Sequence, residues 1–150
     1  MQARALIVDE VDSRMIVTMK VGGQMFGVNV KHVCDVLRRQ KITPVPLAPP
    51  EVTGSLNLRG RIVTVIDLRR RLQLPENPAP SECAFVVVEY KNELYSLMVD
   101  SVGEVLTIAD AQVEHPPANM GGVWKDIATG IHKLPDELIV LADVQALLRL

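Results

Sequence analysis

Aromatic side chains are nearly missing from this chain: Phe26, Phe85, Tyr90, Tyr95 and Trp124 are scattered through 150 residues and make up 3% of them. Recognition of unpaired bases relies on clustered rings, so this scarcity argues against nucleic acid as a ligand. An excess of either charge is missing too. Sixteen Lys and Arg stand against eighteen Asp and Glu, a formal net charge of −2, and no overall field draws the chain toward polyanions. Cysteine is limited to Cys34 and Cys83, far apart and without CxxC spacing, and the start MQARALIVDE lacks the basic opening and long apolar centre of a signal peptide. Both features fit a reducing cytoplasm. No uninterrupted apolar run approaches the roughly 20 residues of a membrane-crossing helix, so direct insertion by a helix is not expected.

Groupings that carry catalysis are equally scarce. His32, His115 and His132 show no HxxxH or His-Cys spacing, and Ser55, Ser81, Ser96 and Ser101 lie in no GxSxG elbow. Gly22-Gly23 and Gly121-Gly122 belong to neither a GxxxxGKS nor a GxGxxG pattern and read as turns. Cys34 has no evident activating base. Asp9, Glu10 and Asp12 form an acidic cluster that reads as a solvated start rather than a metal site. The expectation is a protein that is not an enzyme and has no cofactor and no metal.

What the chain does have is aliphatic bulk: 48% hydrophobic residues against 23% charged, in a length that buries one core without staples. "MIVTMKVGGQMFGVNV" alternates on both sides of Gly22-Gly23, the pattern of a hairpin. "NVKHVCDVLRRQ" puts Val30, Val33, Val36 and Leu37 at helical spacing with Asn29 as a cap, predicting a short helix. "KITPVPLAPPEVTG" is a proline-rich connector with room for a short strand at Ile42 to Val45. Arg61 to Leu68 is apolar on both faces, as in a central strand, and Leu68 to Leu74 adds a helical turn. After the surface loop "PENPAPSE" come two strand signals, "CAFVVVEYK" and "ELYSLMVDSVGEVLTI", around a polar turn at Lys91 to Glu93. "VEHPPANMGGVWKDIATGIHKLP" reads as irregular, anchored by Trp124. The end, "ELIVLADVQALLRL", predicts a strand from Glu137 to Leu141 and a short helix capped by Asp143. Many short strands and few helices point to a small barrel or a pair of them.

The arginines need separate readings. Arg69, Arg70 and Arg71 follow the central strand and read first as a solvated face. Arg59 stands in a turn between Asn57 and Gly60, immediately before a buried strand. It is either a guanidinium held rigidly for a partner or one tied to a local carboxylate or carbonyl.

Around these residues, "GSLNLRGRIVTVIDLRRRL" resembles the signature of the CheW family of bacterial chemotaxis coupling proteins, a G-x-x-NLRG turn leading into an apolar strand and a D-L-R ending. "FGVNVKHVCDVLR", "LMVDSVGEVLTI" and "ATGIHKLPDELIVLADVQALL" resemble further segments of that family, in order, from about Met15 onward. The resemblance implies a mainly β fold of two SH3-like five-stranded β-barrel subdomains with a few short helices, occupying 15–150 behind a flexible 1–14 segment. It implies a non-enzymatic adaptor in the cytoplasm, recruited to receptor arrays at the inner face of the membrane. Its partners would be the cytoplasmic tips of methyl-accepting chemotaxis receptors and the regulatory domain of the chemotaxis histidine kinase CheA. No nucleic acid is implied.

Carried over by position, Val30, Val33, Gly54, Asn57 and Arg59, with Met98 and Val99, would engage the receptor, and Asp35, Val36, Arg38 and Thr43 the kinase. Two positions depart from the family pattern: Thr64 replaces the usual proline and Asn29 the common aspartate, which puts partner choice in question. A chain of 150 residues leaves no room for the kinase's ATP-binding or phosphotransfer domains. The competing readings are an accessory scaffold of a non-flagellar chemosensory pathway and a nucleic-acid-binding small barrel.

Overall fold

The computed structural model describes residues 13–38, 40–76 and 82–149; Asp9, Glu10 and Asp12 and the centre of the PENPAPSE loop lie outside these. The N-terminal alternation forms its hairpin: β1 (Ser13–Val21) and β2 (Gln24–Asn29) pair antiparallel from Ile16–Asn29 to Val21–Gln24. Gly22 and Gly23 both turn at positive φ, which L side chains adopt poorly. The predicted helix after it is absent. Only a 3-10 turn (Val30–His32) forms, with the Asn29 side chain accepting from the Lys31 N–H, and the chain then extends as β3 (Val33–Arg38).

Strands β4 (Val52–Leu58) and β5 (Arg61–Asp67) make a second hairpin, followed by the one-turn helix α1 (Leu68–Arg71), whose N-terminus is capped by Asp67. β6 (Ala84–Tyr90) and β7 (Glu93–Val99) pair around the Lys91-Asn92 turn. The single strand predicted for "ELYSLMVDSVGEVLTI" is broken at Asp100, and β8 (Ser101–Ala109) pairs with β1 in the other sheet. The segment read as irregular contains helix α2 (Trp124–Ile127) and strand β9 (Ala128–Lys133). β10 (Leu138–Ala142) and helix α3 (Val144–Leu147), capped by Asp143, close the chain as expected.

These strands form two five-stranded sheets, ordered β8-β1-β2-β10-β9 and β3-β6-β7-β5-β4. The expectation of two closed barrels is corrected: neither pair of edge strands, β3 with β4 or β8 with β9, shares a ladder. A connecting segment adds one antiparallel bridge to an edge strand of each sheet, Thr43 to Ser55 of β4 and Glu114 to Ile131 of β9. Proline explains why the bridges do not lengthen. Pro44 and Pro46 follow Thr43, Pro116 and Pro117 follow Glu114, and none of them has an N–H to donate.

Strand alternation divides the core into three parts. Val17, Met19, Val21, Phe26 and Val28 from one sheet meet Ile66, Val86, Val88, Leu97 and Val99 from the other in a shared core. The opposite faces close on private cores, Val63, Val65, Phe85 and Val87 in one sheet and Ile16, Ile108, Ile139 and Leu141 in the other. Trp124 anchors its segment by meeting Phe26 edge-on, with ring centroids 6.0 Å apart.

Ser96 sits on the β7 face between Leu94 and Met98, fully buried, and its hydroxyl lacks a hydrogen-bond partner. An unmet buried hydroxyl costs stability. Ser96→Ala is therefore expected to raise the unfolding free energy by about 1 kcal/mol, read as a higher urea midpoint; a lower midpoint would show that the hydroxyl is satisfied.

Candidate functional site

Two edge strands face each other without pairing. β3 bounds one sheet and β8 the other, and the groove between them, about 850 Å3, is lined by Val36, Arg38, Cys83, Ala84, Val102 and Gly103, among others. Both strands carry a bulge. On β3 the register runs from Val33–Val88 to Asp35–Val87, leaving Cys34 as the extra residue. On β8 it runs from Val105–Val17 to Val102–Met19, so three steps on β8 oppose two on β1.

An extra residue shifts the alternation and brings side chains three apart to one face. Val33 and Val36 thus lie opposite Val88 and Val86, and Val102 and Val105 opposite Met19 and Val17, all on the shared-core face. Thr18 secures the second bulge, its buried hydroxyl donating to the Glu104 carbonyl at 2.6 Å. The helical spacing read in "VKHVCDV" is the signature of the first. Val36 remains 42% exposed in the groove, and Val105 and Met15, elsewhere along the shared-core face, 49% each, so that face reaches the surface as an apolar strip. The bulges also deter ladder pairing along both edges.

Of the residues assigned to the receptor by resemblance, Val30 and Val33 pack half-buried where the shared core meets this strip. Gly54 is buried under the connecting segment: a Cβ there would collide with the Thr43 carbonyl and come within 2.7 Å of Ile42 Cγ2. Its role here is close backbone approach. Gly54→Ala is expected to cost about 2 kcal/mol by driving Thr43 off Ser55, seen as a lower melting midpoint and faster amide exchange at those two residues; a wild-type midpoint would contradict this contact.

Asn57 shapes the turn, its Oδ1 accepting from Gly60 N–H at 2.9 Å, while Arg59 and Gly60 both hold positive φ. Val99 is 1% exposed in the shared core, and Met98 faces the private core of its sheet. Val33 pairs with Val88 and Met98 with Phe85, three residues apart on β6, a separation of about 10 Å along the strand. The structure therefore does not gather the seven into one surface.

The residues assigned to the kinase also divide. Val36 and Arg38 line the groove, whereas Asp35, on the opposite face of β3, accepts from Arg59 Nη2 at 3.1 Å. Arg59 is thus tied to a carboxylate, but its side chain is 79% exposed and remains open to a partner. Such a pair is worth little to the fold. Thr43 lies apart from the groove, bridged to Ser55 on β4, in a shallow and largely polar depression with Gln40, Lys41, Ser55, Asn57 and Ile62. Ile62 there is 76% exposed, and Leu47, on the proline-rich connector, is fully exposed. The sequence signal for Ile62 was overlooked because its strand read as buried on both faces.

Among the described residues no group of three or more His, Cys, Asp or Glu could hold a metal ion. Burial raises the Cys34 thiol above its ordinary range, Glu89 and Asp35 reinforce the shift, and Arg61 only partly opposes it. The arginine triplet is not one solvated face. Arg69 pairs with Asp100 at 2.6 Å, and Arg71 donates to the carbonyls of Ala146 and Leu147, while Arg70 is half exposed beside Asp67 and Glu76. Among the described residues no helix is long and apolar enough to cross a membrane.

Comparison with known proteins agrees with the geometry. A family model described as "CheW-like domain" matches residues 15–150. The chain is 33% identical over 138 residues to the chemotaxis protein CheW of Bacillus subtilis, covering 90% of this chain and 86% of that one. It is 27% identical to the chemotaxis protein CheW of Rhizobium meliloti, covering 89% and 86%. The crystal structure of the scaffolding protein TtCheW from Thermoanaerobacter tengcongensis superposes with a TM-score of 0.83 at 28% identity, covering 91% of this chain and 93% of that one.

Proposed function

The chain belongs to the CheW-like family, and from that premise we propose that it is an adaptor that couples methyl-accepting chemoreceptors to the histidine kinase CheA by holding each on a different surface. The coupling is non-enzymatic. The observation that carries this reading is a pair of separate surfaces with no residue in common, the bulged groove between β3 and β8 and the Thr43–Ile62 depression at the β4–β5 hairpin, each presenting one exposed apolar side chain, Val36 in the first and Ile62 in the second. A coupler must be occupied at both ends at once, and two such surfaces allow it.

The groove is the receptor surface. An amphipathic helix from the receptor's cytoplasmic tip would lay its apolar face on Val33, Val36, Val102 and Val105, the helix-in-groove mode of recognition, and Val36 thereby belongs with the receptor contacts. The depression with Thr43 and Ile62, together with the exposed Leu47, takes the regulatory domain of the kinase, and the Asp35–Arg59 pair ties β3 to the β4–β5 turn. Binding to both partners would place the protein at receptor arrays on the cytoplasmic face of the membrane. Each contact is individually weak, and the array gains by multivalency.

The test is autophosphorylation of the kinase in the presence of receptor cytoplasmic fragments, with and without this protein. Stimulation that requires the protein is expected. Co-sedimentation with receptor but no stimulation would replace this reading with that of an accessory scaffold, and loss of both would remove it.

A further inference from the structure

We propose that Arg69 and Asp100 are positioning residues for the groove, forming with Gly22 a latch that sets the angle between the two sheets and hence the groove's width; this rests on the reading that the groove holds the receptor helix. Among the described residues the chain passes between the sheets twice, through the Val30–His32 turn and through Asp100. The second crossing is a single residue, and bonds from both sheets converge on it.

The Asp100 carboxylate accepts from Arg69 Nε at 2.8 Å and Nη2 at 2.6 Å, and from the Gly22 N–H at 2.9 Å. Its own N–H donates to the Lys20 carbonyl at 3.0 Å. Arg69 belongs to α1, which hangs from the β3–β4 sheet, whereas Lys20 and Gly22 belong to the β1–β2 hairpin of the other sheet. The hairpin turn is seated closely. A Cβ on Gly22 would come within 2.8 Å of Leu74 Cδ1 on the loop that follows α1.

The next three residues, Ser101, Val102 and Gly103, form one wall of the groove, and Val36 and Arg38 on β3 form part of the other. No ladder joins these walls. The shared core beneath them is apolar, and apolar contact is non-directional. A bidentate guanidinium–carboxylate pair, by contrast, fixes an orientation. The latch therefore specifies the spacing of Val36 and Val102 rather than only adding to cohesion.

The experiment titrates the full chain with a receptor cytoplasmic fragment and, separately, with the kinase regulatory domain, at a temperature where circular dichroism shows every variant folded. Asp100→Asn is expected to weaken receptor binding by roughly threefold to thirtyfold while leaving kinase-domain binding unchanged. Arg69→Lys, which keeps a charge but not the fork, should fall between the two, and it decides the matter if Asp100→Asn does not fold. Val36→Glu serves as the groove control, since Val36 lines the groove and is 42% exposed. If it abolishes receptor binding while both latch variants bind as the wild type does, the latch proposal is overturned and the groove reading survives. A parallel loss of both affinities, tracking stability, would also overturn the latch. If Val36→Glu binds receptor normally, the groove reading fails and the latch proposal goes with it.

Discussion

Asp100→Ala is expected to lower the unfolding free energy at neutral pH by about 3 kcal/mol, the upper end for charged hydrogen bonds, because a partly buried ion pair and a backbone N–H bond are lost together. The side chains of Arg69 and Asp100 are 15% and 23% exposed, so water screens the pair only in part. Removing the carboxylate takes the two Arg69 bonds and the Gly22 bond together and leaves the guanidinium with the Pro75 and Glu76 carbonyls. The cost should also depend on pH in a defined sense. The hydrogen bond from Arg69 holds the Asp100 carboxyl below its ordinary range, the Gly22 N–H adds to the shift, and burial opposes it. A carboxylate with a depressed folded pKa contributes its full stabilisation above the unfolded value, about 3.9, and loses it as pH falls through the lower folded value. Urea denaturation of the wild type and variant should therefore show a wide gap at pH 7 that closes as pH falls below about 4. A gap that stays constant down to the acid limit would show that charge pairing is not what Asp100 supplies.

Sequence made local features readable and left most long-range ones hidden. The Gly22-Gly23 hairpin, the Asn57–Gly60 turn and the Asp143 cap each depend on residues adjacent in the chain, and each forms as read. Val30 to Leu37 misled because a bulge at Cys34 places Val33 and Val36 on one face, and a spacing of three imitates a helix. The break at Asp100 was invisible for a different reason. "LMVDSV" is continuously strand-like, and only Arg69, 31 residues earlier, and Gly22, 78 residues earlier, make the aspartate a crossing point. Arg71 likewise finds its acceptors 75 and 76 residues away, so composition alone made it look solvated. The family signature carried over the partners, but not how its residues divide their work. Gly54 and Asn57 build the hairpin, while Val102, which the motif does not single out as a contact, lines the groove.

That division makes the second large effect specific. Val36→Glu is expected to weaken binding of the receptor fragment by roughly a hundredfold, because a carboxylate facing an apolar helix loses its water without gaining a partner, and two decades correspond to about 2.7 kcal/mol. The fold should tolerate the change, since Val36 is 42% exposed on an edge strand. Ile62→Glu, in the separate depression at the β4–β5 hairpin, is expected to leave receptor binding unchanged and weaken binding of the kinase domain. Both variants should abolish receptor-dependent kinase stimulation, for opposite reasons, and binding titrations with each isolated partner would separate them. Arg59→Ala should do less, because its guanidinium is mostly exposed and its Asp35 pair is worth at most about 1 kcal/mol. If Val36→Glu weakened kinase binding and spared the receptor, the groove would be the kinase surface and the two partners would exchange places. If either variant weakened both, the two surfaces would not be independent, and coupling through two separate sites would have to be abandoned.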